Sequence, residues 1–217
     1  MVKPQDAVRA MENSRLFTVK PYCIRLAFTD VEILLSPPTF RPLQYHPVFA
    51  VPPMNPITPP DTHHLMAAQG WLELENAAEA SRELKQISDE SREHPDVLEI
   101  RWTVEAKQLN WEECVRVAAK LTQHAPGRSS GWIHRSFALH ELNRTQEAYE
   151  LLLPSLSLFK GIWTIPYNLA CYQCQLGQKE SALEFYTQAL EIGGDSVRET
   201  ALADIDLAPL HSEIEDA

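Results

Sequence analysis

Several features that mark common protein functions are scarce or missing in this chain of 217 residues. It has only 7 glycines and neither a G-x-x-x-x-G-K nor a G-x-G-x-x-G pattern, so no phosphate-binding loop is predicted. It lacks a run of about 20 apolar residues, which excludes a predicted membrane-spanning helix. Residues 1–20 carry charges throughout and lack the apolar core of a secretory signal. Basic residues number 19 against 30 acidic ones, which argues against binding to nucleic-acid phosphates.

Cysteine is also scarce, and its few positions indicate the compartment. The four cysteines are Cys23, Cys114, Cys171 and Cys174. Without an export signal, four cysteines predict thiols in a reducing, cytoplasmic setting. The sequence suggests no Ser–His–Asp constellation. We therefore predict a protein that is not an enzyme, with no cofactor and no resident metal.

The composition changes sharply near residue 60. Residues 1–60 hold 11 of the 16 prolines and none of the glycines, with a net charge of +2, whereas residues 61–217 carry −13. Prolines at the density found in 36–60 exclude a helix or a central strand. We therefore expect 1–60 to be a Pro-rich, largely disordered leader. It is interpreted as a tail without a role, as a Pro-rich ligand for an aromatic groove, or as sequence upstream of a true start at Met54.

The acidic part of the chain is an internal repeat with a period of about 34 residues. One column of the repeat holds only small residues, namely Ala80, Cys114, Ala148 and Ala182. A second column lies four positions later and is apolar: Leu84, Ala118, Leu152 and Tyr186. Positions four apart lie on the same face of a helix, one turn along. The columns therefore predict helices that pack through a small residue, once in every repeat unit.

This pattern resembles the tetratricopeptide repeat (TPR), a helix–turn–helix unit of about 34 residues. The best copy is 163–196, in which seven residues match the family's consensus columns: Leu169, Ala170, Leu176, Gly177, Ala182, Tyr186 and Ala189. The resemblance covers about 61–194 and implies an all-α solenoid of about four helix pairs. Gly177 suits the turn between two helices, because glycine enters the left-handed conformation without steric cost.

Two features near the end of the array carry their own expectations. Pro154 falls inside the second helix of the third repeat and should kink or shorten it. Residues 195–217 look like a C-terminal cap, in which a helix over 196–203 presents Val197, Ala201 and Leu202 to the last repeat. The pattern D-x-D-L-x-x-L at 204–210 is similar to the endings of many bacterial repeat proteins, which implies a bacterial origin.

The resemblance also implies a binding surface, because the first helix of each TPR lines a concave groove. The predicted groove residues are His134, Phe137, His140, Glu141, Tyr167, Asn168, Cys171, Cys174 and Gln175. In this hypothesis Phe137 and Tyr167 pack against a peptide or helix, and Asn168 bonds the ligand backbone. The predicted function is a non-catalytic protein–protein interaction module or scaffold whose partner is a protein or peptide.

Three alternatives remain open from the sequence. The groove could be filled by the chain itself, either by the apolar run 22–35 or by the C-terminus. The solenoid ends could stack, which would make the protein a self-assembling structural module and a homodimer. The pair Cys171-x-x-Cys174, with His134 or His140 nearby, could make a metal- or redox-responsive adaptor.

Overall fold

Helices make up most of the part of the chain that the computed structural model describes, residues 55–216. The predictions for the leader up to Met54 therefore lie outside the described residues. The α-helices are α1 (Asp61–Glu73), α2 (Ala77–Leu84), α3 (Pro95–Lys107), α4 (Trp111–His124), α5 (Ser129–Glu141), α6 (Thr145–Leu152), α7 (Ser155–Leu158), α8 (Thr164–Gln175), α9 (Lys179–Gly193), α10 (Asp195–Ala203) and α11 (His211–Asp216). A 3₁₀ helix, Ile205–Leu210, links α10 to α11, and residues 55–216 contain no strand.

The turn within each of four helix pairs has the same backbone conformation. Its central residue has a positive φ of 57° at Glu75, 60° at Leu109, 60° at Asn143 and 75° at Gly177. These four residues occupy the same position in successive repeat units. At each turn the next residue donates its N–H to the carbonyl five positions back, at 2.8–2.9 Å. This arrangement satisfies carbonyls that the end of a helix leaves without partners.

The column of small residues lies where the two helices of each pair meet. Ala80, Cys114, Ala148 and Ala182 are all fully buried. In the apolar column one turn later, three residues are buried and Leu84 is partly buried. A small side chain allows close approach of the helices, and the apolar residue one turn later fills the space beside it. The repeat read from the sequence is therefore a packing repeat.

The apolar cores extend across neighbouring helix pairs. Leu98 and Trp102 of α3 pack in one cluster with Leu121 of α4 and Phe137 of α5. A larger cluster begins at Ile133 of α5 and runs through α6, α8 and α9 to the C-terminal helices. Each helix pair therefore buries part of its apolar surface against the next, which is characteristic of a solenoid. The chain is an α-solenoid of TPR-like helix pairs.

The expected break at Pro154 is confirmed. Helix α6 ends at Leu152 after eight residues, and Pro154 precedes the single turn of α7. Proline cannot donate the backbone hydrogen bond that would continue α6. The second helix of this pair is therefore shorter than α4 and α9.

The chain after α9 covers the end of the array, but one expected contact is missing. Val197 and Ala201 of α10 are buried as predicted, whereas Leu202 is 37% exposed. Leu202 follows Ala201 by one residue, a rotation of about 100° that takes it off the buried face. Leu207, Leu210 and Ile214 are buried instead and join the larger cluster. Within residues 55–216 no helix is both long enough and apolar enough to cross a membrane.

Candidate interaction groove

The nine predicted groove residues lie on α5 and α8, the first helices of the last two pairs. All but two of them are buried: Glu141 is partly covered and Gln175 is exposed. Asn168 lies beside Tyr167 on α8 and is 8% exposed. A groove open to solvent along its whole length would expose these side chains. Because these side chains are buried, other residues of the protein must contact them.

On α5, the aromatic groups pack against the preceding helix pair. The His134 ring stacks on the Trp102 ring, with centroids 3.9 Å apart and an interplanar angle of 7°. Phe137 meets Trp102 edge-on at 6.4 Å and Trp111 at 5.7 Å. These contacts belong to the packing between α3, α4 and α5. His134 and Phe137 thus connect two helix pairs.

On α8, the predicted binding residues contact the chain's own C-terminal segment. The Tyr167 hydroxyl donates a hydrogen bond of 2.9 Å to Oδ2 of Asp204. The Cys171 thiol donates to the same oxygen at 3.7 Å. Asp204 is 1% exposed. This buried carboxylate therefore takes the place that the sequence analysis gave to a ligand.

A second aspartate of the same segment reaches α5. Nε2 of His140 lies 3.2 Å from Oδ2 of Asp206, and Nδ1 of the same ring lies 3.0 Å from Oγ1 of Thr145. The side-chain amide of Gln175 donates to the Asp206 carbonyl at 3.2 Å. Tyr167, Cys171, His140 and Gln175 thus all contact one short stretch, 204–206. We call 204–210 the C-terminal latch.

The latch holds its own shape through local hydrogen bonds. Oδ1 of Asp204 accepts the N–H of Asp206 at 2.9 Å, which caps the 3₁₀ helix. Nε2 of His211 lies 3.1 Å from the carbonyl oxygens of both Ala201 and Asp204. The sequence predicts a cap here and leaves the C-terminus open as an occupant of the groove, without indicating that Asp204 and Asp206 make the contacts. The D-x-D spacing was the available signal, because an aspartate before a turn can cap it.

We call the side of the array formed by the first helices of the pairs, including α3, α5 and α8, the inner face. A polar network lies on this face on the N-terminal side of the groove residues. Nη1 of Arg128 contacts Asp96 at 2.7 Å and Glu99 at 3.4 Å. The Ser130 hydroxyl donates to Glu99 at 2.7 Å. Glu99 is 5% exposed, whereas the side chain of Asp96 is 46% exposed. This part of the inner face therefore presents charged groups to solvent beside a buried carboxylate.

The cysteine pair lies in the last turns of α8, away from the helix start that would stabilise a thiolate. Burial, aided by the charge of Asp206, raises the pKa of the Cys174 thiol to about 11. The thiol is therefore protonated at neutral pH and a poor nucleophile or metal ligand. Within residues 55–216 no group of three His, Cys, Asp or Glu side chains is arranged to hold a metal ion.

The paired helices, the shared cores and the repeated left-handed turns define a TPR-like α-solenoid. Among solved structures the chain is similar to MamA, a TPR-like helical repeat protein. One MamA crystal structure gives a TM-score of 0.58 at 14% identity, over 72% of this chain and 86% of that one. MamA MSR-1 C2 gives 0.55 at 17% identity, over 63% and 78%. No protein-family model and no curated protein matches the sequence. At these identities the likeness shows the fold.

Proposed function

We propose that this protein is a non-catalytic interaction module that holds a polypeptide segment of a partner on the inner face of its last two helix pairs. In this proposal residues 61–194 form the repeat array and residues 195–217 form a cap. The similarity to MamA supports the scaffold-like fold on which the proposal rests. The partner is a protein or peptide.

One observation carries the proposal: the inner face already binds a peptide segment, the latch. Tyr167 and His140 engage its side chains, and Gln175 engages its backbone. Groups that bind both the side chains and the backbone of a bent segment have the chemistry needed to bind a partner segment. Gln175, at the end of α8, is exposed, so the edge of this surface is accessible to a partner chain.

The test is site-specific photocrosslinking from the rim of the inner face. A photoreactive phenylalanine analogue replaces Gln175 in the full chain, which is expressed in the source organism. We expect an ultraviolet-dependent adduct with a defined protein, identified by mass spectrometry. The analogue is long enough to reach a segment bound beside α8.

The matched control places the same analogue at Gln188, an exposed glutamine of α9. Gln188 belongs to the second helix of its pair, so it tests general surface proximity. An adduct formed at Gln175 and not at Gln188 supports the proposal. The absence of an adduct at Gln175, or the same set of adducts from both positions, would contradict it.

A further inference from the structure

We propose that the latch is an internal competitor, and that the partner segment it competes with carries two aspartates separated by one residue and followed by leucine. This inference rests on the proposed function and specifies the ligand of that same surface. The partner class is therefore an acidic peptide of the form D-x-D-L-x-x-L. Such a peptide would replace 204–210 on α5 and α8.

The groove surface contacts the carboxylates of both aspartates. Oδ2 of Asp204 accepts from the hydroxyl of Tyr167 and the thiol of Cys171, both on α8. Oδ2 of Asp206 meets Nε2 of His140 on α5. The two carboxylates are thus contacted from two different helices. Residues with a different spacing could not place both carboxylates on these groups at once.

A cap on the end of the array does not need these carboxylates. Leu207, Leu210 and Ile214 are fully buried and cover the apolar end of the array. Burying a carboxylate carries a large desolvation penalty, and apolar replacements of buried charged groups are often neutral or stabilising. Buried charged groups kept where apolar ones would serve can specify which segment fits. Asp204 and Asp206 are therefore suited to recognition.

The latch is connected to the repeat array by a single helix. It follows α10, which begins directly after Gly194, where φ is +63° and ψ is −146°. This backbone region is essentially restricted to glycine. Leu202 and Ile205 flank Asp204 and are 37% and 68% exposed. The described hydrogen bonds of the segment to α5 and α8 come from Asp204 and Asp206, and Leu207 and Leu210 lie in the apolar cluster. A peptide with the same pattern would reproduce both kinds of contact.

The experiment measures binding of a synthetic peptide, fluorescein-labelled ADIDLAPLHSEIED (residues 203–216), to the full chain by fluorescence anisotropy. The wild type is compared with the double variant Asp204→Asn/Asp206→Asn, whose own latch loses its charges. We expect the double variant to bind the peptide about ten times more tightly, because loss of charge-assisted hydrogen bonds weakens the internal competitor. Circular dichroism and thermal melting confirm that both proteins are folded.

Two controls test whether binding of the peptide depends on its two carboxylates. A peptide with asparagine at both aspartate positions should bind neither protein. Adding Tyr167→Phe to the double variant should reduce binding of the acidic peptide, because the donor to the first carboxylate is lost. Equal affinity of the wild type and the double variant, no binding to either, or equal binding of the asparagine peptide would overturn the inference.

Three other outcomes distinguish this inference from the proposed function and from self-association. The wild type could form a dimer at rising concentration that the peptide dissociates. That result would mean that a second copy of this chain occupies α5 and α8, and it would overturn the competitor role of the latch. If the peptide fails to bind while Gln175 still gives a specific adduct, the inference fails and the proposed function stands. If the peptide binds and Gln175 forms no adduct, the proposed binding of a partner in cells is contradicted. The recognition of the D-x-D-L-x-x-L pattern by α5 and α8 is then still supported.

Discussion

The hydroxyl of Tyr167 donates a 2.9 Å hydrogen bond to the carboxylate of Asp204, although 37 positions separate the two residues and both are buried. This bond joins the inner face of α8 to the C-terminal latch. A buried carboxylate that loses a donor keeps its desolvation cost. The bond is therefore expected to contribute measurably to stability.

Tyr167→Phe should lower the free energy of unfolding by about 1–3 kcal/mol, because it leaves Asp204 with one donor fewer in a buried site. The measurement is urea denaturation followed by circular dichroism. The matched control is Tyr186→Phe on α9. The hydroxyl of Tyr186 is buried and has no hydrogen-bond partner among the described residues, so its removal should be neutral or stabilising. An equal loss in both variants would contradict the role given to the bond.

Gly177→Ala should destabilise the protein by about 1 kcal/mol, because φ is +75° at this turn and an L side chain is strained there. Among residues 55–216 no neighbouring atom lies within 4 Å of an added Cβ, so the expected cost arises from the backbone. The measurement is again urea denaturation.

Gly70→Ala is the control for this substitution. Gly70 lies inside α1, and an added Cβ there also meets no atom of the described part of the chain within 4 Å. Because alanine is the better helix former, this change should stabilise the protein by about 0.5–1 kcal/mol. Opposite signs for the two glycines are expected. The same sign for both would show that the turn conformation is not what requires Gly177.

Asp61→Asn should lower the melting temperature near neutral pH and have less effect in acid. The Ser88 hydroxyl, at 2.5 Å, and the Ser88 N–H, at 3.0 Å, donate to the Asp61 carboxylate and hold its pKa below the ordinary value of 3.8. A carboxyl group with a lowered pKa stabilises the folded state above its unfolded pKa. This contribution is lost as the pH falls through the folded pKa. The melting-temperature difference between the two proteins should therefore narrow below pH 3.8.

Asp89→Asn serves as the control for this pH dependence. The Asp89 side chain is 86% exposed and pairs with Arg92 three positions along the chain. Exposed pairs of this kind contribute little to stability. Its melting temperature should follow that of the wild type at every pH. A constant difference between wild type and Asp61→Asn from pH 7 to pH 2 would exclude the proposed linkage.

Cys174 should react slowly with iodoacetamide in the folded protein, because its pKa is about 11 and only the thiolate is nucleophilic. In a variant that keeps only this cysteine, the rate should still be rising as the pH approaches 11. In urea, the reaction rate of the same variant should rise with pH as the thiol of an ordinary cysteine ionises. Reaction at pH 8 as fast as in urea would contradict this prediction and support the redox hypothesis for Cys171 and Cys174.

Much of the fold was predictable because its packing is local and periodic. The spacing of Ala80, Cys114 and Ala148 predicted helices that approach closely, and all three residues are buried. Gly177 predicted a left-handed turn, which the structure shows. The equivalent turns at Glu75 and Leu109 were not predicted, because neither residue type favours that conformation. There the turn is set by the packing of the two helices it joins.

The groove was harder to predict, because its contents depend on residues far apart in the chain. The sequence indicated which side chains of α5 and α8 share a face, but not that most of them are buried. His140 meets Asp206 across 66 positions, a contact that no repeat period encodes. The filling of the groove by the C-terminus was one of the alternatives left open, and the contacts of Asp204 and Asp206 favour it at this end of the array.

The sequence by itself therefore determined the helical repeat, because equivalent residues of successive units make equivalent packing contacts and so stay small in one column and apolar in the other. The deficit of glycine and the absence of phosphate-loop patterns likewise needed no structure. Only the tertiary structure decided what occupies the groove on α5 and α8, because the chain after α10 brings Asp204 and Asp206 against these two helices. Recognition of that kind depends on the path of the chain after the last repeat, which local periodicity does not specify.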